Sequence, residues 1–222
     1  MDAVSSPRAY DNSARAQAAA DTRGRILDAA GAMLLDGGYH SMSVAGLASA
    51  AGVSPQTVYN SVGGKADVVK AVYDVLLAGD ENPVPMSSRP EFLAMGEAPD
   101  RDTFGRAYAA FGAGIWRRVG PLLGVLLADG AGSDTTLAAF VATIDGERLT
   151  GNTHAITLLE SRHGLPDGRA RGELVDEVWT LTAPEIYDRL VRRRGWSHDA
   201  YAAWLADAVA GACTRTGIVA AG

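Results

Sequence analysis

Glu160-Ser161-Arg162-His163 sets a carboxylate and an imidazole three residues apart, the spacing at which di-iron helical bundles present metal ligands from one helix. That chemistry needs the pattern twice, and none of His40, His154 or His198 has a glutamate three residues before it. Glu160 and His163 therefore read as a solvated helix end. Gly64-Lys65 ends like a phosphate-binding loop, but the loop's first glycine would fall on Tyr59 and its magnesium-binding Ser or Thr on Ala66. Gly52-Val53-Ser54 opens like a nucleophile elbow and lacks both the closing glycine and a strand before it. The lone Cys213 excludes an internal disulfide and leaves a cysteine-based zinc site without ligands. No catalytic site, metal or cofactor is expected, and the chain does not read as an enzyme.

A different chemistry survives this sieve. Pro55, Gln56, Thr57, Tyr59, Asn60 and Ser61 put amides, hydroxyls and a methyl on a short segment whose Val58 and Val62 face inward. Amides and hydroxyls bond base edges in a DNA major groove, and the methyl of Thr57 suits thymine. Tyr59 and Lys65 sit at the flank, where a phenol and an ammonium hold phosphate oxygens and set the register. The amides that open the next helix, after Gly63-Gly64, are a further phosphate site.

Such a segment needs helices to present it. Ile26, Leu27, Ala30, Met33 and Leu34 repeat at helical spacing up to Gly37-Gly38. A second, short helix is predicted over Ser43–Ala51, with Val44, Leu47 and Ala48 inward and Gly52 as its stop. Ser54-Pro55 then supplies an N-cap and a proline where the missing amide is harmless, so a third helix runs to about Val62. Short helix, glycine turn and capped helix make a helix-turn-helix. Val68, Val69, Val72 and Leu76 mark a fourth helix, and Asp80–Asp102, with four prolines and six acids, is the one long connection. A helical turn is predicted within it near Phe92–Met95.

Beyond it, Phe104, Tyr108, Phe111 and Ile115 form a helical stripe predicted to end before Gly120-Pro121. Helices are predicted at about Leu122–Leu127, Asp134–Thr143 and Glu147–His163, the last with Leu149, Asn152, Ile156 and Leu159 on one face. Another begins at Leu174, bends or restarts at Pro184 and runs to Arg192-Arg193-Arg194, whose charge suits a helix C-terminus. Ser197 caps a last helix with Tyr201, Trp204, Leu205, Ala208, Val209 and Ala212 at helical intervals. No segment alternates like a strand, so the fold is expected to be all-α.

The bulk numbers agree with a folded chain. Its 222 residues are 47% hydrophobic and 21% charged, a globular composition. The uncharged apolar run Pro121–Ala128 is far below the roughly 20 residues a membrane helix needs. No basic-then-apolar leader opens the chain, so a cytoplasmic protein without membrane contact is expected. Net charge is −6, which argues against coating nucleic acid by bulk electrostatics. The charge is uneven: residues 1–77 carry six bases against seven acids, and both lysines, Lys65 and Lys70, lie close together there.

The run Arg25-Ile26-Leu27-Asp28-Ala29-Ala30, then Gly38-Tyr39, Ser43-Val44, Ala51-Gly52-Val53-Ser54, Thr57-Val58-Tyr59, Lys65 and Asp67-Val68-Val69 resembles the N-terminal domain of TetR-family transcriptional regulators over about Thr22–Leu77. Val178-Trp179, Pro184-Glu185-Ile186-Tyr187 and Arg194-Gly195-Trp196-Ser197 look like the end of many actinobacterial-type members. The resemblance implies DNA contacts from Val44, Ala45, Pro55, Gln56, Thr57, Tyr59, Asn60, Ser61 and Lys65. Ala45 stands where some members carry a long polar or basic side chain, and Val62 where an aromatic is usual. Arg8 or Arg15 in the arm would compensate through the minor groove.

Residues 1–20, rich in alanine and short polar residues, read as a flexible arm that in part extends the first helix; the resemblance implies a DNA-binding domain over 21–66 and a helical ligand-binding and dimerisation domain over 67–222. A pocket would be lined by Phe104, Tyr108, Phe111, Trp116 and Trp179, with Asn152 or His154 as polar anchors. A homodimer would close through Val178, Leu181, Ile186, Tyr187, Leu190, Trp204, Leu205 and Val209, matching the two-fold symmetry of a near-palindromic operator. The function expected is a repressor released from double-stranded DNA by a small-molecule effector. The competing expectation is a helical small-molecule-binding or enzymatic protein with a non-functional DNA head.

Overall fold

A computed structural model describes residues 7–80, 82, 84–129 and 135–217. Their regular structure is helical, with no strand among them, so the fold is all-α. The chain divides into two compact units, 1–74 and 75–222.

The first unit starts with α1 (Pro7–Ser41), which buries Ile26, Leu27, Ala30 and Leu34 along one face. Residues 1–6 of the expected arm lie outside the described residues; from Pro7 the chain is helical, so Arg15 sits on an extension of α1. Gly38 leaves helical geometry, with φ 77°, and breaks the helix where the glycine pair predicts a stop. Helices α2 (Val44–Ala51), α3 (Pro55–Ser61) and α4 (Lys65–Ala78) follow. Val68, Val69, Val72 and Tyr73 of α4 are buried, and Val72 lies against Gly31 of α1. This packing ties the first part of α4 to the N-terminal helices, and the two units divide at Asp74/Val75, inside α4.

In the second unit the proline-rich connection folds into a 3-10 turn (Met86–Ser88), α5 (Pro90–Ala94) and a second 3-10 turn (Met95–Glu97). Helix α6 (Arg101–Asp129) then runs straight through Pro121, where the sequence predicts a break. An interior proline costs about 3 kcal/mol. Val119, Leu122, Leu123 and Leu126 flank it fully buried, each contributing about 1.5–3 kcal/mol, so tertiary packing outweighs the local penalty. Gly120 is needed there, because a Cβ would come within 2.3 Å of the Tyr187 ring.

Helix α7 (Thr135–His163) is likewise one element instead of two; Asp134 of the predicted start lies outside the described residues. Gly146 does not stop it, since one glycine costs about 1 kcal/mol and buried Ile144 and Asn152 hold either side. Helix α8 (Arg171–Leu181) precedes a restart at Pro184, α9 (Pro184–Tyr187), which runs into a π-helical turn, Asp188–Arg193. There the arginines do more than face a helix end: buried Asp188 accepts from Arg192 at 3.0 Å and Arg193 at 2.6 Å. Ser197 caps α10 (His198–Thr214), accepting from Ala200 N at 3.1 Å, and α10 packs chiefly along α6. Arg106 of α6 bridges Asp102 on its own helix and Asp207 on α10.

Candidate nucleic-acid interface

The turn between α2 and α3 is built by caps. Ser43 accepts from Gly46 N at 3.1 Å to start α2. Gly52 ends it in the left-handed conformation, φ 67° and ψ 38°, where residues with a side chain are strained. Val53 N then returns to Ala48 O at 2.9 Å, closing a tight turn. Ser54 starts α3, accepting from Thr57 N at 3.1 Å and sharing a 2.8 Å hydroxyl contact with Thr57 Oγ1. Pro55 follows as the first helical residue, as its spacing predicts.

Helix α3 has only seven residues, too few to be stable alone. Val58, fully buried, anchors it from behind, and Arg23 of α1 donates to Ser61 O at 2.9 Å at its far end. Pro55, Gln56, Tyr59 and Asn60 stand exposed, Tyr59 at 54%, while Thr57 and Ser61 are half-buried. Gln56 Nε2 donates to Asn60 Oδ1 at 2.9 Å. That bond leaves Gln56 Oε1 as an acceptor and the Asn60 amide as a donor on the same helical face.

On α2, Ala45 is exposed and Val44 half-buried, so this helix offers no polar side chain at either position. Lys65, half-buried, holds its ammonium 4.1 Å from the centre of the Tyr39 ring, a cation–π contact that fixes the charge at the start of α4. The Gly64 amide does not wait for a phosphate, because it donates to Asp67 Oδ2 at 2.8 Å. Arg23, which sequence reasoning passed over, is a positioning residue for α3; only the packing of α1 reveals it.

Residues 26–72 match the family of bacterial regulatory proteins described as the tetR family. That similarity covers the helix-turn-helix and parts of the helices on either side of it. Among solved structures the fold is similar to that of a HlyIIR mutant in which residues 169–186 are replaced by a GSSGSSG linker. The TM-score is 0.57 at 14% identity, over 90% of this chain and 100% of that one. No curated protein matches the chain.

The body departs from the expected pocket. Phe104, Tyr108, Trp116 and Asn152 are buried in the packed interior, Phe111 and Trp179 are half-buried, and His154 is exposed on α7 and lines no interior. Asn152 already has its partners: Tyr108 Oη donates to its Oδ1 at 2.9 Å, and its own amide donates to Arg148 O at 2.8 Å. Burial of this phenol raises the Tyr108 pKa well above its ordinary 10.0. Arg148 stacks against both Trp116 and Trp179 at about 6 Å and donates to Trp179 O at 2.7 Å, filling the space between them.

The expected dimer set splits in the same way. Val178, Tyr187, Leu205 and Val209 are buried within their own chain, because α8 packs on α7 and α10, α9 on α6, and α10 chiefly on α6. Leu181, Ile186, Leu190 and Trp204 remain half-buried at the surface. Glu160, half of the metal-like pair, is held by Arg171. No described helix is long and apolar enough to cross a membrane.

Proposed function

We propose that the chain is a TetR-family regulator, a repressor that acts as a homodimer on a near-palindromic operator and leaves it when a small molecule binds the body. The observation that carries the reading is α3, gripped from behind by Val58 and Arg23 and polar in front. An acceptor and donor side by side, Gln56 Oε1 and the Asn60 amide, suit the N6 and N7 edge of adenine. One such helix reads only a few base pairs, so two copies about 34 Å apart along the duplex are needed for a specific site. The half-buried apolar residues Leu181, Ile186, Leu190 and Trp204 support a second copy as the partner.

The test is a gel shift with DNA from upstream of the protein's own gene, at several salt concentrations. Gln56→Ala should relax sequence preference by about 1–3 kcal/mol at the bases it reads, whereas Lys65→Ala should weaken all sequences alike and flatten the salt slope by about one unit. Absence of any shift at low salt on operator-like fragments favours the competing reading, a helical binding protein with a non-functional DNA head.

A further inference from the structure

A cleft of about 650 Å3 opens in the body between the C-terminal end of α4, the segment Met86–Met95 and one face of α6. Of the residues expected to line a pocket, only Phe111 is here. Met86, Met95 and Phe111 supply apolar walls, and Ala107, Ala110 and Gly114 keep the α6 side shallow. A Cβ added to Gly114 would meet nothing within 4 Å, so the space over it is open.

The polar groups around this space are unbalanced. Arg89 is nine-tenths buried. Its Nη1 and Nη2 donate to Asp80 at 2.8 and 3.0 Å, and Nη2 also to Asn82 O at 3.3 Å, while Nε is buried without a partner among the described residues. Asp80 is fully engaged, since Oδ1 also accepts from Asn82 N at 2.8 Å. Arg118 donates to the α4 carbonyls of Leu76 and Leu77 at 2.8 and 2.9 Å and pairs with no carboxylate among the described residues. Glu91 lines the cleft as an exposed residue. The surplus is therefore of donors: a guanidinium with an orphaned Nε–H, beside a second guanidinium bound only to carbonyls. A buried donor left unmatched is unfavourable, and an acceptor delivered by a ligand relieves it.

We propose that this cleft is the effector site and takes a compact carboxylate with an aromatic or branched apolar body, its carboxylate turned to Arg89 and Arg118. The body lies on Met86, Met95 and Phe111. The volume falls within the range that encloses small organic ligands. This inference rests on the effector-responsive reading above, and its test is separate from DNA binding.

The probe is 1-naphthoate, titrated calorimetrically into the full chain, against 1-naphthylmethylamine as a cation with the same ring system. Naphthoate should bind at least about tenfold tighter than the amine, the value of one hydrogen bond to a charged group. Gly114→Leu fills the open space and should abolish binding, while Gly112→Leu, on the same helix but outside the lining and equally unobstructed, should leave it unchanged. Arg89→Lys keeps a cation for Asp80 yet loses the Nε–H, and should weaken naphthoate by about tenfold. No heat at millimolar naphthoate, equal affinity for the amine, or a Gly114→Leu variant that binds like the parent overturns the proposal. A gel shift run alongside keeps the readings apart. Naphthoate binding without DNA binding removes the repressor reading and upholds the cleft; DNA binding without naphthoate binding does the reverse.

Discussion

Val58→Ala tests whether α3 is held in place by a single buried side chain. Val58 is the one fully buried residue of that seven-residue helix. The change removes two methyl groups, about 1.6 kcal/mol of transfer free energy, and the cavity left behind brings the total to about 2–3 kcal/mol. A loss of 2.5 kcal/mol is roughly 70-fold in the equilibrium between docked and undocked α3. The Ser54 cap and the Arg23 bond to Ser61 O remain, but neither buries apolar area. Amide hydrogen exchange over 55–61, read by mass spectrometry, should therefore speed up by that factor, and DNA affinity should fall. All four tryptophans, Trp116, Trp179, Trp196 and Trp204, lie in the second unit, so tryptophan emission reports on that unit alone. Its denaturation midpoint should stay put. Unchanged exchange in α3, or a tryptophan midpoint that moves as far as the exchange predicts, refutes the argument that α3 is fastened locally through Val58.

Pro121→Ala should stabilise the second unit by about 1–3 kcal/mol, because the new amide faces the carbonyl of Arg117 in a continuous helix; a melting temperature that fails to rise would contradict this. Cys213 is buried on the inner face of α10, and desolvation pushes its thiol up to about 12, so a thiol reagent at pH 8 should label only the denatured chain; prompt labelling of the folded chain would count against that packing. Hydrogen bonds from Arg89, and then the Asn82 amide, hold the Asp80 carboxyl well below its ordinary 3.8. Its contribution to stability is therefore present above pH 3.8 and is lost as pH falls further through the folded-state value. The melting-temperature gap between the parent and Asp80→Asn should narrow on acidification below that point, and a gap that widens would reverse the assignment.

Where local chemistry decides the backbone, the sequence was legible. Ser43, Gly52, Ser54 and Pro55 each act within three or four residues, so the caps and turn of the helix-turn-helix appear where their types predict. Gly38 and Pro184 likewise break or restart helices at the expected places. The polar face of α3 follows from the same spacing, because an anchored Val58 sends its neighbours outward.

Tertiary packing decided what remained. Whether Pro121 and Gly146 end a helix depends on what their neighbours bury, and here buried leucines and Ile144 carry both helices through. An apolar stripe specifies that a face is covered and leaves open by what: Val178, Leu205 and Val209 are covered by their own chain, and Tyr108 satisfies Asn152 from another helix. The roles of Arg23, Arg89 and Arg148 carry no local signature, since Ser61 O, Asp80 and Trp179 O reach them only once the chain has folded back on itself. The caps are written in neighbouring residues, whereas a buried donor without an acceptor exists only once the fold has closed around it.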